Sequence, residues 1–319
     1  MSKKNTIAIT AYSEPELLYI YLEQLFTDPT VCDYEVHIHT EKGYHPDQDK
    51  VFDHYQLRYP DTSLKRFIKE KHPSCPLVGF HNILSSYLVS LDENPLSDFL
   101  IIGEEDILPT EDYIRFNSYV YTHFLKKYPR IMGCAHKRRP ETEAEGDPEI
   151  LIGDYQCTSL SVISRDIINT YLRPFLSQDS LYQNPILFNR LNFPKSRMEA
   201  QEHSHHDGLI ERIMEFHNLF VLKPDQARSM HVGLSGIFCQ GDVPPGALLE
   251  RVEQRRELIK DGDKLRALSH SPADIVVTDP AGPSWESLRL DSNRNLAKAS
   301  SWWYDHHNDF NKYICSERL

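Results

Sequence analysis

The 319-residue sequence has no Cys-x-x-C pair; its six cysteines, Cys32, Cys75, Cys134, Cys157, Cys239 and Cys315, are scattered. That favours free thiols in a reducing compartment over a disulfide framework or a zinc knuckle. Long apolar runs are also missing. Met1-Ser2-Lys3-Lys4-Asn5-Thr6 leads into only a few apolar residues, so neither a signal peptide nor a transmembrane segment is expected, and cytoplasmic placement follows. Positive charge is scarce: 35 Lys and Arg face 47 Asp and Glu, a net charge of −12. This argues against a surface that wraps nucleic-acid phosphate, while leaving room for a local basic groove. No internal repeat occurs. What is present is ordinary for a globular protein, with 40% hydrophobic and 26% charged residues. The length suffices for one large α/β domain with or without an appendage.

The most informative stretch is Asp98–Asp106, in which the apolar run Phe99–Ile102 passes through Gly103 into Glu104, Glu105 and Asp106. Four apolar residues are too few for a helix and read as a buried strand. Desolvating an unpaired carboxylate is costly, so acids at the end of such a strand are solvated, paired or holding a cation. Hard oxygen donors suit Mn²⁺ or Mg²⁺, often held by one or two carboxylates plus substrate phosphates. A metal–diphosphate site is one reading, and an acidic loop that follows a strand is the other.

Around this stretch the chain alternates strands and helices. Thr6–Ala11 is β-prone, and Tyr12–Glu16 breaks it, with Ser13 as the expected N-cap and Pro15 in the first turn. Leu17, Leu18, Tyr21, Leu22, Leu25 and Phe26 then recur at helical spacing. Tyr34–Thr40 alternates as a strand, which makes the opening a βαβ unit and implies a parallel sheet. Gln48–Arg58 and Val78–Leu91 read as helices, with Leu64–Ile68 as a short element between them. A helix is expected from Thr110, strands at Arg130–Cys134, Thr158–Ile163 and Leu219–Leu222, and helices at Asp166–Phe175 and Asp207–Phe216. Gln178–Arg197 carries no clear pattern. Glu141–Glu149 has the composition of a mobile lid. Residues 1–245 form the expected catalytic domain. Residues 246–319 form an appendage with a charged amphipathic helix at Glu250–Leu268 and an aromatic tail around Trp302 and Trp303.

In order, these features resemble the nucleotide-sugar glycosyltransferases of the GT-A fold, particularly the inverting family 2-like and N-acetylglucosaminyltransferase I-like groups. The resemblance spans roughly residues 5–240. It rests on Ala11-Tyr12-Ser13-Glu14-Pro15-Glu16-Leu17, the acid-ended strand at Glu104-Glu105-Asp106, the acid-headed helix at Asp207, and His231-Val232-Gly233 after Pro224. The resemblance implies a Rossmann-like, mostly parallel central sheet flanked by helices. It implies a UDP- or GDP-sugar donor, a glycan or other hydroxyl acceptor, and Mn²⁺ or Mg²⁺. Thr10, Ala11, Tyr12, Glu14, Thr40, His81, Asn82, Glu104 and Glu105 then fall at nucleotide and sugar positions, and Asp106 and His231 at the metal. Glu104 departs from the strict D-x-D pattern, and within the triplet Glu105 is expected to point away from the site.

The chemistry sets two stations on opposite sides of the sugar. An inverting transfer needs a carboxylate that takes the acceptor proton, here Asp207, whose other reading is a plain N-cap. It also needs charge stabilisation at the leaving diphosphate, here Asp106 with Glu104. Glu202 and Glu211 are reserve bases. Tyr12 suits stacking on a base or a helix-start contact, and His231 a metal ligand or a satisfied loop histidine. Lys137, Arg138 and Arg139 follow a strand end facing the same cleft, and with His206 they are candidates for acceptor or phosphate contacts. A nucleotidyltransferase is disfavoured because Tyr12-Ser13-Glu14-Pro15 supplies neither the glycine nor the lysine of a phosphate loop. A non-catalytic nucleotide-binding relative is the remaining alternative.

Overall fold

A computed structural model describes residues 4–12, 14–26, 28–75, 79–109, 113–135, 151–152, 160–194, 206–217, 219–222 and 229–231. The chain runs β1 (Asn5–Ala11), α1 (Pro15–Leu25), β2 (Tyr34–Glu41), α2 (Asp47–Arg58), β3 (Ser63–Lys69), α3 (Phe80–Glu93) and β4 (Phe99–Glu104). It continues through β5 (Ile107–Pro109), α4 (Tyr113–Val120), β6 (Ile131–Ala135), β7 (Leu151–Ile152), β8 (Leu160–Ser164), α5 (Arg165–Ile167), α6 (Arg173–Leu176), α7 (Asp179–Gln183) and α8 (Pro185–Asn192). It then passes through α9 (His206–His217), β9 (Phe220–Leu222) and β10 (Ser229–His231).

Eight strands form one sheet in the order β3-β2-β1-β4-β8-β6-β9-β7, and β10 pairs with β5 in a small second sheet. β3, β2, β1 and β4 are mutually parallel, as are β6 and β9, while β8 runs antiparallel between β4 and β6. This is the helix-flanked, mostly parallel α/β sheet that the sequence implies.

Strand alternation divides the core in two. Phe99 and Ile101 join Ile7, Ile9, Val36 and Ile38 against α1, α2 and α4 on one face. Leu100 and Ile102 join Met132 and Ile163 against α3 and the later helices on the other. Each such side chain, fully buried, stabilises the fold by about 1.5–3 kcal/mol, so β4 is held from both faces and its end is a fixed platform.

Helix starts differ in detail from the sequence expectation. Pro15 occupies the first turn of α1, but the N-cap is Glu14, which makes no side-chain cap bond; Ser13 lies outside the described residues. At the head of α3, Gly79 is left-handed, with φ of 73°, a conformation that suits glycine. Its carbonyl accepts the first helical bond, from the Ile83 N–H at 2.9 Å. The patternless stretch after Gln178 contains two short helices, the second capped by Asn184, whose side chain accepts from the Leu187 N–H. The short element at Leu64–Ile68 is the edge strand β3. The lid expected at 141–149, Thr110 as a cap and the appendage from 246 onward lie outside the described residues.

Candidate functional site

From β1 the chain builds outward to β2 and β3, then returns to place β4 on β1's other side. Such a reversal leaves a crevice outside the carboxyl ends of the two central strands, the usual ligand position in open α/β sheets. Thr10 pairs with Glu104 across this boundary, and Ala11 with Thr40. The acidic triplet therefore emerges at the crevice.

Within the triplet, Glu105 is nearly buried and its carboxylate holds the loop that follows β1. It accepts from the Tyr12 N–H at 2.8 Å, the Glu14 N–H at 3.4 Å and the Gln48 side-chain amide at 2.9 Å, while its own N–H donates to the Thr10 carbonyl at 2.9 Å. Its oxygens are thus engaged by protein, and among the nucleotide-binding candidates it braces the loop carrying Tyr12 and Glu14. Gln48, at the start of α2, completes this brace and was not singled out from the sequence.

Glu104 and Asp106 are half-buried and face the head of α9. The His206 imidazole lies 3.2 Å from Asp207 Oδ1 and 3.9 Å from Glu104 Oε1 through the same Nε2 atom. Burial opposes charge on this imidazole, but Asp207, Glu104 and Asp106 outweigh it and hold its pKa up at about 9. The Asp207 side chain is 35% exposed and His206 14% exposed, so Asp207 is the more open of the two. Asp207 is the second residue of α9, inside the first turn rather than capping it, where the helix dipole favours an anion. Glu211, one turn deeper, is buried; Glu202 lies outside the described residues. β10 brings the His231 backbone opposite Ile107, the neighbour of Asp106.

A second polar group gathers at the ends of β2 and β3. Thr40 is buried, and Asn82 donates from Nδ2 to the His39 carbonyl at 3.3 Å. Thr40 Oγ1 and Asn82 Oδ1 have no hydrogen-bond partner among the described residues. His81 Nδ1 lies 3.8 Å from the buried Glu41 carboxylate. Lys69, not singled out from the sequence, donates to the Asn82 carbonyl at 2.7 Å and Ser85 Oγ at 2.8 Å. Burial pushes its pKa down to about 7, with Glu41 opposing. The only sequence signal for Lys69 was its place directly after the short element at Leu64–Ile68. Unsatisfied buried acceptors beside a ligand crevice are what an incoming polar ligand satisfies.

Cys134 of β6 and Ile101 of β4 share Val162 as their cross-strand partner, so β6 ends on the same edge as the crevice. Lys137, Arg138 and Arg139 follow that end and lie outside the described residues. No group of three or more His, Cys, Asp or Glu side chains among the described residues is placed to hold a metal ion by itself. Glu104 and Asp207 lie beside the His206 imidazole, with Asp106 next to Glu105 in the same triplet; oxygen donors of this kind suit a hard divalent ion held by one or two carboxylates plus ligand oxygens. No helix among the described residues is long and apolar enough to cross a membrane.

No family model and no curated protein sequence matches the chain. Solved structures similar to it include the mannosyltransferase PcManGT from Pyrobaculum calidifontis in complex with GDP-Man and Mn²⁺. The TM-score is 0.45 at 12% identity, over 99% of this chain and 76% of that chain. S. aureus TarS is similar with a TM-score of 0.43 at 11% identity, over 79% of this chain and 43% of that chain. TarS 1–349 in complex with UDP gives 0.39 at 12% identity, over 97% and 73%.

Proposed function

We propose that the chain is a metal-dependent glycosyltransferase that moves a sugar from a nucleoside-diphosphate sugar to an acceptor hydroxyl with inversion. The observation that carries this reading is the meeting of two acidic elements at one crevice. Glu104, on the strand end beside Asp106, and Asp207, on the head of α9, approach the same His206 nitrogen from 3.9 and 3.2 Å.

The roles follow from position. The loop after β1, braced by Glu105, presents Tyr12 as a face for the base, and Thr40, His81 and Asn82 supply polar contacts to the nucleoside. Asp106, with Glu104 and with His231 on the neighbouring strand, would hold Mn²⁺ or Mg²⁺. When bound, the ion supplies charge stabilisation to the departing diphosphate. Asp207 accepts the proton of the attacking hydroxyl from the side opposite the leaving group. His206 keeps the two acidic stations apart as a cationic spacer and offers an N–H to the acceptor or to a phosphate oxygen. Lys137, Arg138 and Arg139 are assigned to the same anionic ligand, and residues 246–319 to a covering extension.

The test is slow Mn²⁺-dependent cleavage of UDP- and GDP-sugars without acceptor. Wild type should release free nucleoside diphosphate and an Asp106→Ala variant should not. A wild-type protein that neither cleaves nor binds any nucleotide sugar with Mn²⁺ would sink the proposal.

A further inference from the structure

The edge of the sheet opposite the crevice carries a cleft of about 530 Å³, bounded by the first residues of β1 and β2 and by α4. We propose that it is an accessory site for a neutral saccharide.

Aromatic rings form part of its lining. Tyr119 and His123 lie with ring centroids 4.6 Å apart and a tilt of 35°, and the buried Tyr34 lies deeper, its hydroxyl bonded to Ser118. Short neutral polar groups supply the rest: the Asn5 amide, whose Oδ1 already accepts from the Asp98 N–H, and the Thr30, Ser118 and Thr122 hydroxyls, which bond Asp28, Tyr34 and the Ser118 carbonyl and keep oxygen lone pairs as acceptors. A pyranose presents an apolar C–H face and a rim of hydroxyls, which matches amphipathic rings beside short donors and acceptors.

Charge decides against a phosphorylated ligand. The Arg115 guanidinium, half exposed, sits 3.5 Å from the Asp28 carboxylate, and Asp33 also lines the cleft. With one cation against two acids the cleft is net negative, so nothing concentrates phosphate there. The backbone supplies an independent sign. Thr122 and His123 belong to a π-helical stretch, Tyr121–Leu125, that extends α4; such wide turns are rare and recur at functional sites.

The eight residues of β2 separate the cleft from the crevice by roughly 25 Å at strand rise. A saccharide here therefore cannot be the sugar undergoing transfer. If the transferase reading holds, on which this last step rests, the occupant is a distant segment of a glycan acceptor, held while its end reaches the crevice.

The experiment measures binding of an array of neutral oligosaccharides to wild type, Thr122→Trp and Asp106→Ala. Thr122 is exposed, so tryptophan fills the cleft without disturbing the core. At least one neutral glycan should bind wild type and Asp106→Ala alike, and bind Thr122→Trp at least tenfold more weakly with an unchanged thermal midpoint. The proposal is overturned if no neutral glycan binds, if Thr122→Trp binds as well as wild type, or if Asp106→Ala abolishes binding. Nucleotide-sugar cleavage is read separately in the same proteins. Its absence beside intact glycan binding refutes the transferase reading and leaves the saccharide cleft standing.

Discussion

Gly103 is the last apolar-side residue of β4 before the acidic triplet, and its lack of a side chain is enforced by Tyr21. A β-carbon at this position would run into the Tyr21 hydroxyl oxygen and lie 2.7 Å from Cζ and 3.2 Å from Cε2. Tyr21 is fully buried on α1, within the cluster that includes Ile7, Ile9 and Tyr113. Gly103→Ala therefore forces either α1 outward or the end of β4 aside. Overpacking of this kind costs typically 1–3 kcal/mol, and a rigid aromatic pinned from both sides belongs at the upper end, about 3 kcal/mol. The Tyr21 hydroxyl also has no hydrogen-bond partner among the described residues. Burying an unpaired hydroxyl is unfavourable, so Tyr21→Phe alone should be neutral or stabilising by up to about 1 kcal/mol. In the Gly103→Ala background the same change removes the nearest colliding atom and should recover part of the loss. Urea denaturation of the four proteins reads these differences as shifts in midpoint at constant slope. Gly103→Ala within about 0.5 kcal/mol of wild type, or no coupling between the two sites, would refute the packing described at the end of β4.

Other outcomes follow from neighbouring contacts. Glu105→Ala removes the acceptor for the Tyr12 and Glu14 N–H groups and for Gln48. It should cost about 1–3 kcal/mol and speed hydrogen exchange at the Tyr12 and Glu14 amides, with Glu105→Gln losing less. His37 and His39 are buried neighbours on β2, and burial lowers both pKa values, that of His39 furthest, with Lys69 adding to it. The unfolded chain then binds protons that the native chain does not. The contribution of these two histidines should be full above about pH 6.5 and fall below it, by up to about 1.4 kcal/mol per pH unit per histidine. A pH series of denaturation midpoints checks this, and His39→Gln should flatten the slope. Asp207→Asn should slow sugar transfer by about 10²–10⁴-fold while leaving nucleotide affinity intact. A loss confined to affinity would remove Asp207 from the proton-transfer role.

The layered order of the sheet's first half was legible because each element had its own period. The helical spacing of Leu17, Tyr21 and Leu25 reflects the buried face of α1, while Val36 and Ile38 alternate with His37 and His39, which are buried too, so the alternation there separates two packed faces. The triplet's position was legible for a similar reason, since a buried strand that runs into acids has to end at an edge. Pairings between distant short strands were not. β5 and β10 have three residues each, too few for a period, and meet across more than a hundred positions. The antiparallel insertion of β8 between β4 and β6 also has no local signature. Asn184-Pro185 was a start signal for α8 that composition obscured, since asparagine there caps a helix rather than marking a loop. Nor does periodicity show partners: that Glu105 braces backbone and Lys69 holds the head of α3 depends on contacts formed only when the strands assemble.

The central claim, that the β4 end and the head of α9 form one metal-assisted nucleotide-sugar site, is tested most directly by calorimetric titration of UDP and GDP. Wild type should bind one of them at least tenfold more tightly with Mn²⁺ than without, and Asp106→Ala should bind with the same weak affinity under both conditions. Equal affinity of wild type with and without Mn²⁺, or an Mn²⁺ effect that survives in Asp106→Ala, would contradict the account.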